Sequence, residues 1–256
     1  MRTIPSSELI INDDGSIFHL HLQPGQLADT VILVGDPTRV TRVAAHFDTR
    51  ELEVSNREFH TITGSYRGRR MTVLSHGIGT DNIDIVVTEL DALVNIDFST
   101  RRVKPTLKQL TLLRLGTSGA IQPDLKIGDL VFARTSVGFD GLLNFYEGRD
   151  GVCDPEMERA FTEHTGWSPL LARPYFIDAD RELFEAFKDI TKEGITISAP
   201  GFYGPQGRWV RIRPADPELN ARIESFAYDS RRITNYEMES SALAGLGALM
   251  GHRAAT

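Results

Sequence analysis

The chain has 256 residues, 41% of them hydrophobic, enough to bury the core of one large α/β domain. A formal net charge of -7 gives no basic field for nucleic acid, so any anionic ligand must be met by local arginines. The one cysteine, Cys153, excludes an intramolecular disulfide framework, and no apolar run approaches the roughly 18 residues of a membrane span, so a soluble cytoplasmic protein is expected.

Residues 1–29 form a polar arm ending in FHLHLQPGQLAD, where Phe18, Leu20 and Leu22 alternate with histidines. The run TVILV at 30–34 predicts a strand, and after GDPTRV the residues Val40, Val43, Ala44 and Phe47 recur at helical spacing. Gly35 opens the turn and Pro37 suits a first helical turn. Arg39 lies near the positive end of that helix, a poor place for a cation unless it meets an anion there. The stretches 51–65 and 70–75 read as two strands of a hairpin turning at YRGR, with Arg57 and Glu58 mid-strand as on an exposed edge. GIGTDN at 77–82 leads into a helical stripe of Ile83, Val86, Val87, Leu90 and Val94. The basic, proline-broken segment 97–108 reads as a surface excursion with solvated charges.

LLRLGTSGAIQ at 112–122 reads as a buried strand delivering a small-residue turn. Arg114 is its odd member, because a guanidinium within an apolar strand needs a partner or an anion, or must snorkel to the surface. Thr117 and Ser118, between Gly116 and Gly119, supply hydroxyls on a backbone that can approach a ligand closely, and phosphate is the candidate. Further strands are expected at 128–137 and 195–199, a helix at 178–192, and a Gly- and Asp-rich loop at 138–155. This alternation predicts an α/β sheet, and the lack of GxGxxG argues against a dinucleotide-binding dehydrogenase.

Two further constellations carry chemistry. In GFYGPQGR, Gln206 and Arg208 stand two apart and would face one way in an extended segment. A carboxamide and a guanidinium together match a base edge with carbonyls flanking an N–H, such as that of uracil, with Phe202 or Tyr203 to stack on its face. In NYEMES, Glu237 and Glu239 flank Met238 ahead of a small-residue helix; they either cap that helix or grip vicinal ribose hydroxyls.

Taken together, FHLHL, GDPTRV, SNREF, LRLGTSGAIQ, GFYGPQGR and NYEMES resemble the hexameric nucleoside phosphorylase family over residues 18–256, and Gln206-Gly207-Arg208 is similar to the triplet of its uridine-cleaving members. The resemblance implies a nucleoside phosphorylase fold, a three-layer αβα arrangement around a mixed, twisted central sheet, as a single domain over 1–256. It places the chain's end at Thr256 before the family's C-terminal strand and helix. The reaction implied is phosphorolysis of uridine to uracil and ribose 1-phosphate, with purine nucleoside phosphorolysis or nucleoside binding without turnover as the alternatives. No prosthetic group is implied, only inorganic phosphate as cosubstrate. Phosphate is expected at Gly35, Arg39, Arg114 and Thr117, with Arg57 given across a dimer interface, which revises its reading as an edge residue. Uracil is expected at Phe202, Gln206 and Arg208, and ribose at Glu237, Met238 and Glu239 with His19 from the partner subunit. Arg39, Arg114, Gln206, Arg208 and Glu239 are the expected catalytic set. Family members can also hold K+ near the residue matching Glu58, although Asn82 stands where a serine ligand is usual. The assembly implied is a homo-oligomer sharing active sites across a dimer, up to a trimer of dimers.

Overall fold

The computed structural model describes residues 2–256, which divide into two compact units. The first comprises residues 2–78, Asn82–Leu115 and Met250–Arg253, and the second Gly79–Asp81, Gly116–Leu249 and Ala254–Thr256. The mixed α/β architecture is as expected, with the strands distributed over two six-stranded sheets and a two-stranded ribbon.

The first unit runs through β1 (Thr30–Val34), α1 (Pro37–Ala44), β2 (Thr49–Asn56), β3 (Phe59–Tyr66), β4 (Arg69–Ser75), α2 (Thr80–Asn95), the ribbon β5 (Ile96–Asp97) and β6 (Arg102–Val103), and β7 (Thr111–Leu115). Its sheet has the order β7-β1-β4-β3-β2. The apolar run of β1 lies in the middle and pairs in parallel on both sides, Val34 standing opposite both Ser75 of β4 and Leu115 of β7. These three strands therefore end level, and the segments that follow them emerge together. The turn after β1 becomes a helix because the Asp36 carboxylate accepts from Thr38 N at 2.7 Å and Pro37 takes the first helical position. Val40 and Ala44 then bury themselves against Val34, Ile62 and Val73, each buried aliphatic side chain of this size contributing roughly 1.5–3 kcal/mol.

Two expectations for this unit change. The stretch 51–65 is two strands, because Asn56 pairs with Phe59 and leaves Arg57 and Glu58 as a two-residue turn. Arg57 adopts φ 54°, the left-handed region that an arginine enters at a cost, so the pair is a hairpin tip and not mid-strand. The segment 97–108 is more than a solvated excursion: Arg101 donates from Nε to Ile4 O at 2.8 Å while its own carbonyl accepts from Ile4 N, which ties down the N-terminal arm.

The second unit runs through β8 (Gly119–Ala120), β9 (Val131–Gly138), α3 (Pro155–Thr165), β10 (Tyr175–Asp178), α4 (Arg181–Phe187), β11 (Lys192–Ser198), α5 (Leu219–Ser225), β12 (Ala227–Tyr228), β13 (Arg231–Glu237) and α6 (Ser240–Leu249), and the chain ends in β14 (Arg253–Ala255), which joins the first sheet beside β7. The second sheet has the order β10-β9-β11-β13-β12, with β8 also on β13. Strands β9, β11 and β13 are parallel, and β10, β12 and β8 antiparallel. Val137, Phe161, Phe176, Ile195, Ile197 and Ile233 form its core. The helix expected over 178–192 is shorter, because Asp180 caps it at its start and residues from Lys192 are already paired with β9.

Candidate active site

In the first unit, the level ends of three parallel strands gather one cluster. Gly35 follows β1, His76 follows β4 and Arg114 is the penultimate residue of β7. Ligands of α/β sheets bind at such carboxyl ends. His76 N donates to Val34 O at 2.8 Å, prolonging the strand pairing past Ser75. Arg114 is 5% exposed, so it does not snorkel, and its Nε donates to His76 Nε2 at 3.1 Å. His76 is fully buried, and its pKa is held down at about 3, first by loss of hydration and then by the Arg114 charge, with Arg39 adding to it. Arg39, half-buried in the first turn of α1, reaches Leu115 O with Nη1 at 3.4 Å, a weak bond. Two cations and a helix N-terminus at one strand-end edge form an arrangement that can hold an anion.

Arg57 and His19 occupy other parts of this unit. Arg57 is exposed at its hairpin tip. Beside it the carbonyl of Glu58 accepts from Ser75 Oγ at 2.6 Å. Asn82 donates from Nδ2 to Ile78 O at 3.2 Å. His19 is clamped by a residue that sequence reasoning missed: the buried Glu89 carboxylate meets His19 Nδ1 at 2.6 Å and accepts from the amides of His19 and Leu20. Asn56 Nδ2 donates to His19 O at 2.8 Å. With Nδ1 thus engaged, Nε2 is the ring nitrogen left on the far side of the imidazole.

In the second unit, Gln206 and Arg208 are brought together by a tight turn and not by an extended segment. Residues 204–206 form one turn of 3-10 helix and Gly207 follows at φ 73°. A side chain at Gly207 is excluded twice, since its Cβ would also lie 2.3 Å from Asn220 Nδ2. Arg208 Nη1 donates to Gln206 Oε1 and, at 2.6 Å, to Phe202 O, while its guanidinium sits 3.9 Å from the centre of the Phe202 ring. The Phe202 ring thus carries the guanidinium on one face, and the residue remains 52% exposed. Gln206 is buried, and Asn220 secures its backbone, donating to Gln206 O at 3.1 Å and accepting from the Tyr236 hydroxyl at 2.9 Å. Burial pushes the Tyr236 pKa up, so it stays a donor. Neither Asn220 nor Tyr236 carries a local sequence signal for this task.

Glu237 and Glu239 do different work although both are 5% exposed. Glu237 ends β13 and its carboxylate accepts from the amides of Glu239 and Ser240 and the hydroxyls of Ser240 and Ser198, which caps α6 and ties it to β11. Glu239 accepts from Gly79 N at 2.7 Å. Met238 lies between them in the connection, and Thr117 is exposed in the turn between β7 and β8.

Beside the Gln206 turn lies an open cavity of about 880 Å³ lined by Phe139, Trp167, Leu171, Tyr203, Arg208 and Val210 among others. Burial pushes the Cys153 thiol up to about 12, which disfavours the thiolate. Among the described residues, no group of three His, Cys, Asp or Glu side chains is placed to hold a metal ion, and no helix is long and apolar enough to cross a membrane.

A family model described as the Phosphorylase superfamily matches residues 29–256. A uridine phosphorylase of Thermococcus kodakarensis is 32% identical over 257 residues, covering 97% of this chain and 78% of the relative. One from Escherichia coli is 31% identical over 250 residues, covering 93% and 82%. Among solved structures, a nucleoside phosphorylase of Trypanosoma brucei described as showing uridine phosphorylase activity superposes with a TM-score of 0.87 at 28% identity, over 96% of this chain and 88% of the other.

Proposed function

Because this chain belongs to the phosphorylase superfamily, we propose that it cleaves uridine with inorganic phosphate, releasing uracil and ribose 1-phosphate. The observation that carries the choice of base is the turn at 202–208, which puts the Gln206 carboxamide and the Arg208 guanidinium in contact. They satisfy each other here, and the O2, N3–H and O4 edge of uracil offers both the same kind of bonds in exchange.

In this reading phosphate is the nucleophile, bound by Gly35, Arg39, Arg114 and Thr117 with Arg57 of the partner subunit completing the set. It attacks C1′ as the N-glycosidic bond breaks through an oxocarbenium-like transition state, and its orientation supplies a large part of the acceleration. The electron pair of the broken bond leaves with uracil, and Gln206 and Arg208 bind the anion more strongly than the neutral base. Glu239 and Met238 hold the ribose, His19 of the partner subunit reaches its 5′-hydroxyl through Nε2, and Glu237 acts by fixing the start of α6. The enzyme then works in the cytoplasm as a homo-oligomer built from dimers. K+ beside Glu58 belongs to the same dimer reading, and no step depends on it.

Mixing the protein with uridine and phosphate tests this directly. Uracil and ribose 1-phosphate should appear together, only when phosphate is present, and about 10⁴-fold faster than hypoxanthine from inosine. Base release without phosphate would make the protein a hydrolase, preferential turnover of inosine would make it a purine enzyme, and binding without product would leave it a nucleoside-binding protein.

A further inference from the structure

We infer that His76 is the positioning residue of the anion site: through Nε2 it accepts a hydrogen bond from Arg114 Nε and so sets the direction of the guanidinium without cancelling its charge. This rests on the reading of Arg114 as a phosphate ligand.

Since Arg114 Nε can only donate, His76 Nε2 must carry the lone pair, and the proton of the neutral ring resides on Nδ1. A doubly protonated imidazole would present a donor and a positive charge to the guanidinium 3.1 Å away. The surroundings disfavour that form: the ring is fully buried and the charged groups acting on it, Arg114 and Arg39, are both cations, which together outweigh the Gly77 backbone interaction that favours it. The neutral acceptor is therefore kept through the whole working range of pH.

A carboxylate in the same place would orient Arg114 equally well, but it would set a negative charge against the anion to be bound. An imidazole supplies direction alone. It is held rigidly enough to do so, because His76 N is bonded to Val34 O, and the next residue, Gly77, turns the chain away at φ 75°. At that φ a side chain would be strained, and a Cβ on Gly77 would also push aside Asn82 Nδ2, 2.4 Å away. The histidine is thus fixed to the strand that leads into Gly35, and it transmits that register to the arginine of β7.

The test compares His76→Leu, which removes the acceptor, with His76→Gln, whose Oε1 can restore it. His76→Leu should raise KM for phosphate about tenfold or more while KM for uridine stays within about twofold, and His76→Gln should recover most of the loss. An unchanged phosphate KM in the leucine variant overturns the inference, as does a glutamine variant no better than leucine with both KM values raised. If the leucine variant does not fold by thermal melting, the ¹⁵N imidazole spectrum of the wild-type protein decides, and a proton on Nε2 of His76 overturns the inference. A wild-type protein that never turns over uridine fails the proposed function only; titration with inorganic phosphate then decides His76, with equal affinity in wild type and His76→Leu counting against it. A wild type that binds no phosphate at all overturns both.

Discussion

Arg114 and Arg208 are both arginines assigned to negative charge, yet the two units hold them differently. Arg114 is 5% exposed inside a parallel strand, its Nε fixed by a fully buried histidine. Arg208 follows a single turn of 3-10 helix, lies on a half-exposed phenylalanine and donates to the side chain of Gln206. The first is set when the sheet folds, and its desolvation cost belongs to folding. The second is held by bonds that a ligand would replace. A permanent anion such as phosphate suits a rigid cationic edge, whereas a base that acquires charge only as it leaves suits groups that can exchange partners.

The contrast can be broken at several points. Arg114→Ala should reduce kcat/KM for phosphorolysis by about 10² to 10³, comparable to removing one preorganised donor from an oxyanion site, while uridine binding by calorimetry is retained. Parallel loss of uridine binding would mean that Arg114 only holds the fold. Arg208→Ala should reduce kcat/KM by about 10- to 100-fold, the worth of one charge-assisted hydrogen bond, with kcat itself falling. A raised KM at constant kcat would show that Arg208 binds ground state and transition state alike.

A pH series separates the rigid region from the exchanging one through stability. In the folded protein the His76 pKa is held near 3, while in the unfolded chain it returns to about 6.5, so below pH 6.5 the unfolded state binds the extra proton. This contribution is complete above pH 6.5 and is lost progressively as pH falls towards 3. Between pH 6.5 and 5 the loss should be about 2 kcal/mol by urea denaturation, and absent from a folded His76→Leu variant. Equal slopes for the two proteins would place the imidazole in water. The smallest effect is expected at Glu237→Gln, which weakens the α6 cap by about 1 kcal/mol and leaves KM for phosphate unchanged; a loss of rate with undiminished stability would assign Glu237 to the substrate instead.

Much of this was legible in residue order. TVILV reads as a short strand, and GDPTRV carries a helical proline and an arginine at the positive end of the helix, so β1 and α1 stand where the pattern put them. The strand containing Arg114 was legible for the same reason, and so was its need for a partner. The tip at Arg57 was hidden, because an arginine at positive φ has none of the glycine or asparagine signals by which a tight hairpin is recognised. Gln206 and Arg208 were correctly paired on a wrong conformation: spacing of two suggested a strand, while Pro205 and Gly207 build a turn that brings the side chains closer.

Local pattern and chemical type were thus sufficient for the class of fold, for the strand that carries Arg114 and the turn and helix that carry Gly35 and Arg39, and for the need of a buried Arg114 for a partner. They act through neighbours three or four residues away, which any reading of the chain can see. The acceptor that aims Arg114, the carboxylate that clamps His19, the amide that secures Gln206 and the division of labour between Glu237 and Glu239 lie 38, 70, 14 and up to 160 residues from the groups they serve. Those pairings exist only once strands, helices and turns distant in the chain have packed together, because a hydrogen bond needs its partners within about 3 Å and no periodicity in the chain records which distant residue will be the neighbour.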